Sequence, residues 1–322
     1  MKRRMVYPDV LRALSCIAVV FLSVSMACGS IGLSGLLTWA VPMFVMLSGM
    51  FFLDSNWYIT LRDMMQKYGL RLLIAYLLWG VIGTGVNIAT HGVLNGMFSG
   101  TGLYLNFLFI MIILYTASPV LRVFTRSAQS HELQYAVLFG LLVGSIYPFI
   151  RMHLTAGSIA DFAFMGFGYL GVFLTGWFLR SAMFTRQQTR LIYLIGGICL
   201  IFSMRGIWFD KTAFEKDPAM MILSPDAIFI AMALFLVVKN TLAGRRLSRN
   251  VLQPISKLAQ LSFGIYLIHP IILALVCYGF NRAGIMLPPV IFIPVVSILL
   301  LAVSAGLTFL IRKIPKVGNY LV

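Results

Sequence analysis

After Arg12 the chain runs from Ala13 to Leu53, 41 residues, without a charged side chain. A helix crosses the hydrocarbon core of a bilayer in roughly 20 apolar residues, and in lipid every backbone N–H and C=O has to be satisfied within the segment. The run is long enough for two crossings and too long for one. The turn-prone stretch Gly29-Ser30-Ile31-Gly32-Leu33-Ser34-Gly35 is where it reverses. A chain that begins this way takes lipid as its solvent, and each charge inside it must be explained on those terms.

The remaining apolar stretches repeat the pattern. They are Leu72 to Leu121, broken near Asn87 to Leu103, then Leu133 to Ile150, Phe162 to Leu179, Leu191 to Phe209, Met220 to Val238, Leu258 to Asn281 and Ala283 to Ile311. With the first pair they make about ten transmembrane helices, the seventh holding Arg205 near its outer end and the eighth Asp226 in its first turns. The expected fold is an all-α polytopic membrane protein, one domain over 1–322. Only 11% of the residues are charged and 60% are hydrophobic, which leaves no stretch for a soluble domain.

Lys and Arg set the orientation, because cytoplasmic loops retain them. An even helix count puts both termini on one side. That side then holds Lys2, Arg3 and Arg4; Arg62, Lys67 and Arg71; Arg122 and Arg126; Arg180, Arg186 and Arg190; Lys239, Arg245, Arg246, Arg249 and Lys257; and Arg312, Lys313 and Lys316, a total of 19. The other side holds Arg151, Arg205, Lys211, Lys216 and Arg282, and Arg12 lies within helix one, which completes the 25. The expected placement is the bacterial inner membrane with N- and C-termini in the cytoplasm. The net charge of +16 is then a retention signal and an attraction to anionic membrane lipid rather than a nucleic-acid footprint.

Several chemistries lack their signatures. The four cysteines, Cys16, Cys28, Cys199 and Cys277, stand singly without nearby His, so neither a metal site nor a disulfide framework is expected. Gly166-Phe167-Gly168-Tyr169-Leu170-Gly171 has the glycine spacing of a dinucleotide fingerprint but lies inside an apolar crossing with no preceding strand. It reads as a helix-packing face, as do Gly140 and Gly144. GxxxxGK[ST], HExxH, GxSxG and HxxxxD are all absent.

Three strings carry more information. Asp9-Val10-Leu11-Arg12-Ala13-Leu14 opens helix one, Val41-Pro42-Met43-Phe44-Val45-Met46-Leu47-Ser48-Gly49-Met50-Phe51-Phe52 forms helix two, and Ser262-Phe263-Gly264-Ile265-Tyr266-Leu267-Ile268-His269-Pro270 lies in helix nine. In this order and spacing they resemble the membrane acyltransferase-3 family, whose members O-acylate bacterial surface glycans. The resemblance extends over nearly the whole chain and includes Tyr115 to Leu121. It implies transfer of an acetyl or other acyl group from acetyl-CoA, as co-substrate, to a hydroxyl of a polysaccharide or lipid-linked glycan acceptor. It also implies Ser48 and Tyr266 as substrate contacts.

The chain departs from the family pattern at one telling place. Family members usually carry Arg, ten residues and then a His in helix one, and here Arg12 is followed by Ser23. Eleven residues are almost three helical turns, so Arg12 and Ser23 share a face and lie ~16 Å apart along the axis. Arg12, Lys67 and Arg71 are the expected seat for the phosphates of the acyl carrier, its thioester arm reaching inward along that stripe. His269 falls near the midplane, where it serves as a general base or as a neutral imidazole bonded to carbonyls near Pro270. Ser23 is a nucleophile only if a base lies beside it, and no such base occurs within one turn; otherwise it packs or binds water. Asp161 and Asp226 either hold a glycan hydroxyl or are ordinary acids at helix N-termini. The competing class is a non-catalytic relative or transporter that binds a lipid-linked sugar or acyl carrier, although no repeat of discontinuous helices is present.

Overall fold

The computed structural model describes residues 5–54, 60–91, 102–154, 159–204, 222–245, 247–314 and 318. Among them there is no strand. Eight helices are long and apolar enough to cross a membrane: α1 (Tyr7–Ala27), α2 (Gly32–Phe52), α3 (Met64–Thr90), α4 (Asn106–Ser127), α5 (Ser130–Arg151), α8 (Pro225–Leu242), α9 (Arg249–Arg282) and α10 (Pro289–Arg312). Two more, α6 (Ile159–Ser181) and α7 (Arg186–Ser203), occupy the sixth and seventh expected crossings. The first turns of α7, Arg186-Gln187-Gln188-Thr189-Arg190, are polar, and Thr185 caps them by accepting a bond from the Gln188 N–H at 3.2 Å. Arg205, Lys211 and Lys216 lie outside the described residues.

The expected reversal at residues 29–35 is shorter than its composition suggested. Gly29 adopts φ +66°, a left-handed conformation that suits a residue without Cβ, and helix resumes at once. The discontinuity moves into α2, at Thr38 and Trp39. Pro42 explains it: its ring clashes with the carbonyl four residues back, that of Thr38, and it has no N–H to offer there.

Helix α1 is the hub. It packs on α2, α8, α9 and α10, and its two sides enter two separate apolar cores. Leu11, Val19 and Leu22 join Met43, Met46 and Phe235 in the larger, and Cys16, Val20 and Val24 join Ile265, Phe292 and Leu300 in the smaller. With no hydrophobic drive between helices in lipid, close backbone approach holds the rest. A Cβ on Gly49 would overlap the Phe173 carbonyl, and one on Gly176 the Met46 carbonyl, so α2 and α6 touch backbone to backbone. Gly140 meets Gly171 and Gly144 meets Gly168 in the same manner across α5 and α6. The dinucleotide-like glycine string is thus a packing face, as its apolar setting implied.

Basic residues close the helix ends on the side of the chain termini. The last carbonyls of α2 accept from Arg180, through Met50 O at 2.9 Å, and from Arg122, through Phe52 O, while Arg180 pairs with Asp54 at 2.6 Å. Lys239 donates to the Leu179 and Arg180 carbonyls that end α6, at 2.6 and 3.0 Å. These cations satisfy carbonyls without an intrahelical donor and complement the negative helix ends.

Candidate active site

Where α1, α2, α3, α4, α9 and α10 converge lies a cavity of about 490 Å³, well within the range of small-molecule sites. Arg12 from α1, Arg71 from α3 and Arg312 from α10 all line it, and among the described residues no Asp or Glu does. The π-helical turn Met64–Gly69 at the start of α3 brings Tyr68 and Arg71 to this wall together. Arg12 stands over the Phe51 ring at 5.8 Å and Arg71 over Phe263 at 5.0 Å, so aromatic faces support both guanidinium groups. Arg312 donates to the Gln260 carbonyl at 2.7 Å. The arginine of helix one therefore faces a hollow and not acyl chains.

Farther in, the lining turns aromatic. Tyr266 packs between Phe44 and Phe107, with ring centroids 6.3 and 5.3 Å away. Tyr115 lies 3.5 Å from the Ser48 hydroxyl and stacks on Phe52 at 4.0 Å. Ser48 and Tyr266 thus share one cavity with Arg12 and Arg71.

One turn beyond Tyr266, α9 presents His269 to α1. Its Nε2 lies 3.0 Å from the Ser23 Oγ, and its Nδ1 lies 2.9 Å from the Ile265 carbonyl. A carbonyl only accepts, so Nδ1 carries the proton and Nε2 the lone pair. The single Ser23 hydroxyl proton then has two acceptors at 3.0 Å, the Val19 carbonyl and Nε2. The ring bonds a carbonyl on one side and faces a hydroxyl on the other. Ser23 lacks a base on its own helix but has one across the helix pair. The Tyr266 and His269 rings are 5.9 Å apart, so the cavity wall and the Ser–His pair share one turn of α9.

The other sequence candidates lie elsewhere. Lys67 is absent from the cavity lining: it is 70% exposed and pairs with Asp63 at 2.8 Å. That contact holds the Asp63 carboxyl below its usual range. Residues 67 and 71 are four apart, yet Lys67 turns to Asp63 and Arg71 to the cavity. Asp226 occupies the first turn of α8, away from the cavity, with Oδ1 buried and without a hydrogen-bond partner among the described residues. Asp161 falls in the first turn of α6, and its side chain lies outside the described residues. Sequence reasoning missed Arg312, Tyr68 and Gln260 as lining groups; Arg312 registered only as a charge retained at the end of the last crossing. Among the described residues no group of His, Cys, Asp and Glu is arranged to hold a metal.

Residues 5–309 match the model of a family described as an acyltransferase domain, Acyl_transf_3. No curated protein and no solved structure matches the chain.

Proposed function

The chain belongs to acyltransferase family 3, and from that premise we propose that it moves an acetyl group from acetyl-CoA to a hydroxyl of a cell-surface polysaccharide or lipid-linked glycan. The observation that carries this reading is the cavity lined by three arginines, one of whose walls, Tyr266 on α9, lies one turn from a Ser–His pair between α9 and α1. An anionic carrier with several phosphates suits that lining, since each guanidinium offers planar paired donors.

The donor rests its phosphates on Arg12, Arg71 and Arg312, and its arm runs inward between Phe44, Phe107 and Tyr266. The ~16 Å separating positions 12 and 23 on α1 brings the thioester to the depth of His269. His269 acts as the base of the transfer, and the acceptor hydroxyl enters from the opposite side. The excess of Lys and Arg at the cavity end supports a cytoplasmic mouth, on the side where acyl-CoA is made, with the far end outside.

The test is direct. Purified protein is incubated with radiolabelled acetyl-CoA, with and without glycan acceptor. Transfer or slow hydrolysis that disappears in Arg12→Ala is the expected result. Acetyl-CoA left intact under all conditions overturns the reading. A reporter fused to the C-terminus that is active only in the periplasm overturns the orientation.

A further inference from the structure

Both nitrogens of His269 are occupied. Nδ1 donates to the Ile265 carbonyl, Nε2 faces the Ser23 hydroxyl at 3.0 Å, and the residue is 1% exposed. Before acylation Ser23 occupies the face of the imidazole that a substrate would approach. Ser23 is half-buried and His269 almost fully buried, so the serine is the more accessible member of the pair. A nucleophile exposed in front of a fixed base, the base oriented by a third group, is the arrangement of a serine acyl carrier. Here a main-chain carbonyl on α9 takes the orienting place that a carboxylate fills elsewhere.

On the premise that the chain is an acyl-CoA-dependent transferase, we infer that Ser23 carries the acyl group covalently between donor and acceptor. In the first half-reaction Ser23 Oγ attacks the thioester carbonyl while its proton passes to His269 Nε2. The C–S bond breaks, the departing thiolate takes the proton from His269, and CoA leaves as the free thiol, with an ester left on Ser23. In the second, the acceptor hydroxyl attacks that ester and gives its proton to Nε2. The Cacyl–Oγ bond breaks, and the proton returns to Ser23. No oxidant, metal or further reactant is required. Two half-reactions also allow donor and acceptor to arrive from opposite ends of the bundle and use one position in turn, so neither has to wait for the other.

The experiment is acyl trapping on the full-length protein in detergent. Acetyl-CoA is added without acceptor, free thiol is followed in time, and the quenched protein is digested for mass spectrometry. The expected result is a burst of thiol near one equivalent, with an acetyl ester on the peptide containing Ser23. Ser23→Ala and His269→Gln lose burst and ester, while Ser23→Ala still binds CoA, which shows that its fold persists. Ser23→Cys captures the acetyl as a thioester, which neutral hydroxylamine cleaves faster than the serine ester. Turnover by Ser23→Ala at the wild-type rate, or turnover by wild type with no burst and no ester, overturns the covalent step and leaves the acyltransferase reading standing. A wild-type protein that never consumes acetyl-CoA overturns both.

Discussion

Where α6 meets α2 and α5, glycine brings the helices into backbone contact, and where α1 and α9 meet α3, α4 and α10, arginines and aromatic rings hold them apart. Gly49, Gly176, Gly144 and Gly168 leave no room for a Cβ at the first seam, while Arg12, Arg71, Arg312, Phe107 and Tyr266 surround a hollow at the second. Both seams lie in the same apolar bundle, so side-chain size and charge at a few positions decide which is filled and which is open. The closed seam carries stability and the open one carries chemistry. Substitutions should therefore separate the two.

The largest effect is expected at the closed seam. Gly176→Leu and Gly168→Leu force α6 off a neighbouring backbone that has no flexible side chain to yield. Overpacking of this kind costs about 1–3 kcal/mol or more, and the folded, monodisperse fraction after detergent extraction should fall steeply. Gly166→Ala tests the contrast within the same glycine string. Nothing lies within 4 Å of its added Cβ, and alanine is the better helix former by ~1 kcal/mol, so thermal stability should hold or rise. Equal damage at 166 and 168 would break the assignment of this string to packing.

The next effect belongs to the open seam and should leave the fold intact. Arg12→Ala, Arg71→Ala and Arg312→Ala each remove a cation from the cavity. A hydrogen bond to a charged group contributes about 1.5–3 kcal/mol, so CoA affinity should fall roughly ten- to a hundredfold per substitution. Equilibrium binding of CoA, and of CoA lacking its 3′-phosphate, would show which arginine meets which phosphate. Unchanged affinity in all three variants would remove the cavity from donor recognition.

The difference between the seams also explains what could be read beforehand. Uncharged length fixed the crossings, because lipid imposes a single accounting on backbone hydrogen bonds, and glycines at helical spacing in an apolar setting indicated close packing. Arg12 and Ser23 stood out through the resemblance to the family's helix-one pattern, and His269 because an ionisable group at depth is costly. Their meeting was not legible: Ser23 and His269 are 246 residues apart, and periodicity describes one helix at a time. Arg312 was hidden for a related reason, since a basic residue at a helix end already has an explanation in topology. The pairing of Lys67 with Asp63, which draws it away from Arg71, left no mark in composition.

The smallest expected effect falls on Lys67, and its smallness is the informative part. Composition groups Lys67 with Arg71 as one basic cluster near the start of α3, whereas the structure turns Lys67 to the surface against Asp63. An exposed i,i+4 pair of this kind contributes only ~0.3–0.5 kcal/mol, and added salt screens it further. Lys67→Ala should therefore change CoA affinity less than about twofold, within the limit that such an energy sets. Arg71→Ala, one helical turn away, should change it by an order of magnitude. If the two variants weaken CoA binding equally, the phosphates lie at the surface of α3 rather than in the cavity, and the open seam loses its claim to be where the donor is held.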